Sequence, residues 1–144
     1  MQTLQSAEWK LIGKDVNDCK WFYDEANIKR LPEHKAMVWL KRMVTDEEKK
    51  KWIQERTRNK QSIEGYDRWA YELGLMELNC SAGTIRQLNV TDYDRDGKYL
   101  TSRKISENLN VIGGDSIAEL VYKLLCPTKT PDKERMTPQF PPIR

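Results

Sequence analysis

The sequence contains few of the residues that build catalytic and metal sites. Its 144 residues include one histidine, His34, and three cysteines, and no two cysteines form a C-x-x-C pair. A zinc site needs several such ligands, and a catalytic thiol needs a base beside it. His34 lies in a predicted turn, where we expect it to be exposed, and no acidic pair is typical of a general acid and base. We therefore predict a protein that is not an enzyme and holds no cofactor. An enzyme with an unrecognised site is the alternative.

Long apolar runs are also missing. No stretch approaches the ~20 apolar residues that a membrane-spanning helix requires, and no apolar segment of a signal peptide follows Met1. We expect no membrane span. The protein is then either exported, with a signal peptide that is absent from this sequence, or cytoplasmic.

Charge of one sign is not in large excess. The 25 basic residues are interspersed with 22 acidic ones, for a net charge of +3. A nucleic-acid-binding protein commonly concentrates its basic residues on one face. The sequence therefore predicts no nucleic-acid partner.

Short runs of β-branched and aromatic residues are present, and turn signals separate most of them. Spacers this short join antiparallel neighbours, because a parallel pair needs a crossover of a dozen residues or more. We predict an antiparallel sheet of five to six strands. The runs are Glu8–Ile12, Cys19–Asp24, Lys35–Val44, Trp69–Cys80, Thr84–Thr91 and Lys98–Ile105.

Two capping boxes predict two helices. Thr45 with Glu48 begins a charged surface helix that extends to about Lys60, inserted after the third predicted strand. Ser116 with Glu119 begins a C-terminal helix, which a glycine pair precedes. One face of this second helix is apolar, so we predict that it packs on one face of the sheet. That apolar face consists of Ile117, Leu120, Val121, Leu124 and Leu125.

These elements make an α+β domain, which we place at residues 7–126. Residues 1–6 are predicted to be a disordered N-terminal segment. Five of the six prolines lie in residues 127–144, which predicts an extended or disordered tail.

The stretch that begins at Asp92 resembles the first half of a calcium loop. Asp92, Asp94, Asp96 and Gly97 occupy the first, third, fifth and sixth positions, but the twelfth is Arg103, where calcium needs a bidentate carboxylate. Strand formers also replace the flanking helices. We therefore reject a metal site and predict a hairpin turn, with Gly97 at positive φ and the three aspartates keeping the tip soluble.

Position alone leaves the state of the cysteines open. Cys80 ends a predicted strand and Cys126 ends the apolar helix, so they are either joined by a disulfide or two buried free thiols. Cys19 is either a thiol at a strand edge or a residue that pairs between molecules.

The aromatic residues fall mostly within the predicted strands. We expect them to form one sheet face under the C-terminal helix, and the alternative is an exposed aromatic face that binds sugars or peptides. The residues concerned are Trp9, Trp21, Tyr23, Trp39, Trp69 and Tyr71.

A series of short motifs, from about Trp9 to Cys126, resembles the bacterial surface-adhesin E family in order and spacing. Cys19, the Pro-rich tail and the charged helix are departures from the resemblance. The motifs are Trp9-Lys-Leu-Ile12, Trp21-Phe-Tyr-Asp24, Val38-Trp-Leu-Lys41, Glu77-Leu-Asn-Cys80, Thr84-Ile-Arg86, Gly113-Gly-Asp-Ser116 and the terminal Cys126.

The resemblance implies an exported small protein of the periplasm or cell surface. It implies a disulfide between Cys80 and Cys126 that ties the helix to the sheet. The family's name denotes adhesion to host matrix proteins, so the expected function is binding to a protein partner. An assembly accessory of the envelope that docks through a sheet edge is the alternative. A homodimer is compatible with either.

Overall fold

The computed structural model describes residues 6–104, 110–111 and 116–127. Three sequence expectations lie outside these residues: the N-terminal segment except for Ser6, the glycine pair Gly113-Gly114, and the tail from residue 128. The described residues form eight strands and two α-helices. The strands are β1 (Trp9–Lys14), β2 (Lys20–Asp24), β3 (Lys29–Leu31), β4 (Lys35–Met43), β5 (Trp69–Asn79), β6 (Thr84–Asp94), β7 (Tyr99–Lys104) and β8 (Asn110–Val111), and the helices are α1 (Asp46–Arg58) and α2 (Ile117–Leu125).

All strands belong to one antiparallel sheet. Six of them follow the order β1-β2-β4-β5-β6-β7, while the short β3 pairs with β4 and the short β8 pairs with β6. The predicted α+β class and its five to six strands are confirmed. Because β3 and β8 have only three and two residues, neither shows the alternation by which a strand is recognised in a sequence.

Helix α2 packs on one face of the sheet, which we call the helix face. Its residues Val121 and Leu125 are buried against an apolar patch of β4, β5 and β6. The Ser116 hydroxyl accepts a hydrogen bond from the Glu119 N–H at 3.1 Å, as the capping box predicts. The patch consists of Val38, Leu40, Met76, Leu78 and Ile85.

Helix α1 belongs to an insertion between β4 and β5, which pair directly with each other. The insertion leaves and rejoins the sheet at adjacent points, where the Val44 N–H donates to the Ala70 carbonyl at 2.9 Å. Thr45 caps the helix as predicted, with its hydroxyl accepting from the Glu48 N–H at 3.1 Å. No residue of α1 is buried. The prediction of a charged surface helix after the third predicted strand is therefore confirmed.

Both helices lie on the helix face. Among the described residues, no helix covers the opposite face, which we call the open face. Nor is any helix in this part of the chain long and apolar enough to cross a membrane.

Candidate functional site

The three aspartates of the calcium-like stretch have three different roles. Asp94 shapes the turn between β6 and β7, where its Oδ1 accepts from the backbone N–H groups of Asp96 and Lys98, both at 2.9 Å. Gly97 has φ +79°, as a hairpin turn with a glycine at this position requires. The carboxylate of Asp96 pairs with Arg68 on the neighbouring 3₁₀ turn, Tyr66–Arg68.

Asp92 is fully buried on the helix face and belongs to a polar cluster beneath α1. Its Oδ2 accepts from the Tyr66 hydroxyl at 2.6 Å and from Arg103 Nη1 at 2.9 Å. Glu72 lies between two cations, 2.9 Å from Arg42 Nε and 3.6 Å from Arg103 Nη2. The expectation that all three aspartates are solvated is thus wrong for Asp92 and Asp94, which are 0% and 3% exposed. The reason is strand alternation, since side chains at even positions of β6 from Val90 onward point to the helix face.

Burial and pairing shift the pKa values within this cluster. Burial raises the pKa of Asp92 above its ordinary value, against the lowering effects of the Tyr66 hydrogen bond and the Arg103 charge. Burial likewise raises the pKa of Tyr66, and its hydrogen bond to Asp92 adds to the rise. Burial alone would lower the pKa of Arg42, but the hydrogen bond and charge of Glu72 outweigh it and raise that pKa. These four charged groups lie on strands of the sheet, and the insertion contacts them through the Tyr66 hydroxyl on Asp92 and through Glu48, whose Oε2 lies 3.6 Å from Arg42 Nη1.

Aromatic rings cover the cluster from the side of α1. Trp52 of α1 lies 6.0 Å from Trp69, and Tyr66 meets Trp69 edge to face at 5.5 Å between ring centroids. The Arg56 guanidinium lies 4.8 Å from the Tyr66 ring centroid. Because rings and guanidinium groups close this cluster, it serves to hold the insertion.

The structure confirms the disulfide between Cys80 and Cys126, whose Cα atoms are 5.5 Å apart. The bond joins the turn after β5 to the C-terminal end of α2. The Cys19 thiol is free and fully buried, with its Sγ 3.5 Å from Arg42 Nη1. A buried thiol in this position cannot pair between molecules without local unfolding.

His34 is exposed, as expected, in the turn between β3 and β4. It lines an open depression of about 630 Å³ beside the disulfide, together with Arg30, Lys35 and Leu124. The carboxylate of Glu33 and apolar groups also line the depression, and the sequence contains no second histidine that could share a metal with His34.

The aromatic strand residues do not share one face, so that prediction is wrong. By strand register, Trp21 and Tyr23 lie on the helix face with Leu40 and Arg42. A register shift between Trp69 and Tyr71 also turns Trp69 to that face. The remaining three, Trp9, Trp39 and Tyr71, lie on the open face, which corresponds to the alternative expectation of an exposed aromatic face.

The open face has an aromatic cluster built around one lysine. The Lys41 Nζ lies 5.4 Å from the Trp9 ring centroid and 4.6 Å from that of Tyr71, distances at which a cation is attracted to a ring. Tyr71 stacks on Tyr93 with 5.2 Å between centroids and 16° between ring planes. Tyr99 continues this row and is 58% exposed.

Apolar side chains continue the open face beyond this cluster. Trp39 pairs across strands with Leu75, and Lys41 pairs with Leu73. All are half-buried although no described element packs on them. Sequence reasoning missed Lys41 and Tyr93. Trp39 and Lys41 are two residues apart in one strand, so their side chains point to the same face, and this spacing was the signal for Lys41. Tyr93 lies beyond the predicted end of its strand.

Comparison with known proteins gives one family. A family model described as surface-adhesin protein E matches residues 9–127, which is most of the chain. No curated protein and no solved structure matches.

Proposed function

We propose that this chain, which belongs to the surface-adhesin protein E family, is an exported, non-enzymatic protein that binds a protein partner through its open face. The family supports a surface or exported location and a role in binding. The Cys80–Cys126 disulfide agrees with that location, because such bonds persist outside the cytosol and are rare within it.

The observation that carries the proposal is the open face itself. Aromatic and leucine side chains on neighbouring strands are only partly buried there, while both helices cover the other side of the sheet. Contiguous apolar surface of this kind marks interaction sites, and tryptophan and tyrosine are over-represented among the residues that dominate binding energy. Trp39 is the residue we expect to contribute most, since the Tyr71 ring already contacts Lys41 and Tyr93.

A pair of tryptophan variants tests this function. Trp39→Ala removes a ring from the open face, and Trp52→Ala removes one from α1 on the other side. Both variants are measured for binding to a panel of immobilised host matrix proteins, with circular dichroism used to confirm the fold. We expect Trp39→Ala to weaken binding at least tenfold, as loss of a residue that dominates binding would. Equal losses in both variants, or no binding by the unmodified protein, would contradict the proposal.

A sheet-edge accessory is the second candidate, and β1 is the observation that favours it. This strand pairs only with β2 among the described residues, and its Leu11 is 60% exposed. An uncovered edge strand can accept a strand from another protein. Leu11→Lys would block such pairing, so loss of binding to an envelope protein in this variant alone would favour the accessory role.

A further inference from the structure

The open face is cationic as well as apolar. Strand register within β1, β2, β3 and β4 places five lysines on it, and Lys41 lies between one pair near the start of β2 and another near the start of β4. Strand register places two carboxylates on this face within the described part of the chain, and one of them, Glu77, is paired with Arg86 at 2.6 Å. The other, Asp24, is buried and accepts three hydrogen bonds from its neighbours. The five lysines are Lys14, Lys20, Lys29, Lys35 and Lys41.

None of the ion pairs among the described residues includes one of these five lysines, so they lack carboxylate partners there. Lys14 and Lys20 stand directly opposite each other on β1 and β2, an arrangement of like charges that destabilises a strand pair. Lys41 belongs to the next strand of the sheet, β4, opposite Phe22. A bound anion would relieve the repulsion between Lys14 and Lys20.

We infer that the open face binds an acidic segment of a protein partner. The carboxylates of that segment pair with Lys14, Lys20 and Lys41, and its apolar side chains pack on the aromatic and leucine residues of the open face. The inference rests on the proposed function and adds the chemistry of the partner. Electrostatic complementarity of this kind selects partners and speeds their encounter.

Charge also argues against the two occupants that the chain itself could supply. A second copy stacked face to face would bring two sets of lysines together, and like charges across an interface are costly. The chain's own residues 128–144 contain four basic and two acidic residues, so they too carry the wrong net sign.

Two other kinds of anionic polymer fit the face less well. A sulfated polysaccharide would satisfy the lysines but would leave Leu73 and Leu75 without apolar contacts. Single-stranded nucleic acid binds by stacking bases on free aromatic rings. The Tyr71 ring is already engaged by Lys41 and by Tyr93.

Synthetic peptides on the folded chain test the inference. The probes are peptides of repeated Glu-Glu-Leu, Glu-Glu-Ser and Lys-Lys-Leu units, heparin and oligothymidylate, followed by tryptophan fluorescence and calorimetry. We expect the Glu-Glu-Leu peptide to bind most tightly and to weaken as salt is added. The Lys-Lys-Leu peptide should not bind. Tighter binding of heparin or of oligothymidylate than of any peptide would overturn the inference.

A matched pair of triple variants locates the binding surface. Lys14→Gln/Lys20→Gln/Lys41→Gln removes three charges from the open face, and Lys50→Gln/Lys51→Gln/Lys123→Gln removes three exposed charges from α1 and α2. We expect the first variant to lose about tenfold in affinity for the Glu-Glu-Leu peptide, from three partly exposed ion pairs, and the second to lose little. Equal losses would show a general effect of net charge and would refute the inference.

The two proposals can fail separately. If no acidic peptide binds but Trp39→Ala still abolishes binding to a matrix protein, the acidic segment is wrong and the proposed function stands. If acidic peptides bind at the lysines while Trp39→Ala leaves every matrix protein bound, the acidic segment stands and the proposed function is wrong.

Discussion

Breaking the Cys80–Cys126 disulfide should cost this domain a large part of its stability. The bond closes a loop with a sequence separation of 46 residues and fixes the last turn of α2 to the end of β5. Two other contacts hold the same helix end: Arg30 Nη1 donates to the Leu125 carbonyl at 2.6 Å, and the Tyr122 hydroxyl donates to the Cys80 carbonyl at 3.3 Å. Reduction changes none of the groups that make these two contacts, so we expect its effect to be mainly the lost constraint on the unfolded chain.

The size of the effect follows from loop closure. For a loop of this length the chain-entropy relation gives about 4 kcal/mol at 25 °C. In a chain of this size each 1 kcal/mol lowers the unfolding midpoint by roughly 2–4 °C, so reduction should lower it by roughly 8–16 °C. Because the net stability of a domain is about 5–15 kcal/mol, this loss leaves a marginal protein at the low end of that range.

The assay is thermal unfolding followed by circular dichroism, with and without a dithiol reductant. A Cys19→Ala background leaves only the two paired cysteines, and Cys80→Ala/Cys126→Ala in the same background is the control that should not respond to reductant. An unchanged midpoint in the paired protein would refute the reasoning. Alkylation of all three thiols of the unmodified protein without a reductant would show that the bond does not form and would weaken the exported assignment.

Three further predictions concern the β6–β7 region. Tyr66→Phe should lower the free energy of unfolding by about 1–3 kcal/mol, measured with urea, because buried Asp92 loses one of its hydrogen-bond donors. An unchanged value would show that the Arg103 hydrogen bond compensates for the lost donor. The pKa of Asp94 is lowered in the folded protein, chiefly by the hydrogen bond from the Lys98 N–H. Ionised Asp94 therefore stabilises the fold at pH values above 3.8, the pKa in the unfolded chain, and this stabilisation is lost as the pH falls through the folded pKa. Asp94→Asn should therefore flatten the acid side of the stability–pH curve, and an unaltered curve would contradict this. Calcium should leave the unfolding midpoint unchanged, since Asp92 faces Arg103 on the helix face; a rise at sub-millimolar calcium would contradict this.

The sequence alone was sufficient to predict those helix starts and turns that depend on a few neighbouring residues. Thr45 and Ser116 mark the helix starts because a side-chain oxygen can accept from the third N–H beyond it. Asp96-Gly97 marks the hairpin because only glycine adopts its backbone conformation without strain. The family resemblance supplied the disulfide, which position alone left undecided.

Contacts between distant segments decided the rest. The face to which a strand residue points depends on pairing register, and the shift at Trp69 and Tyr71 separates these two aromatics by moving Trp69 to the helix face. Asp92 is buried where Tyr66 of the insertion and Arg103 of the adjacent strand both contact it. The open face exists because both helices pack on the other side of the sheet, and lysines scattered from residue 14 to residue 41 become neighbours only when β1, β2, β3 and β4 pair. The sequence by itself determined the elements and their caps. Only the tertiary structure decided which side chains share a surface, because that depends on register and on where the helices pack.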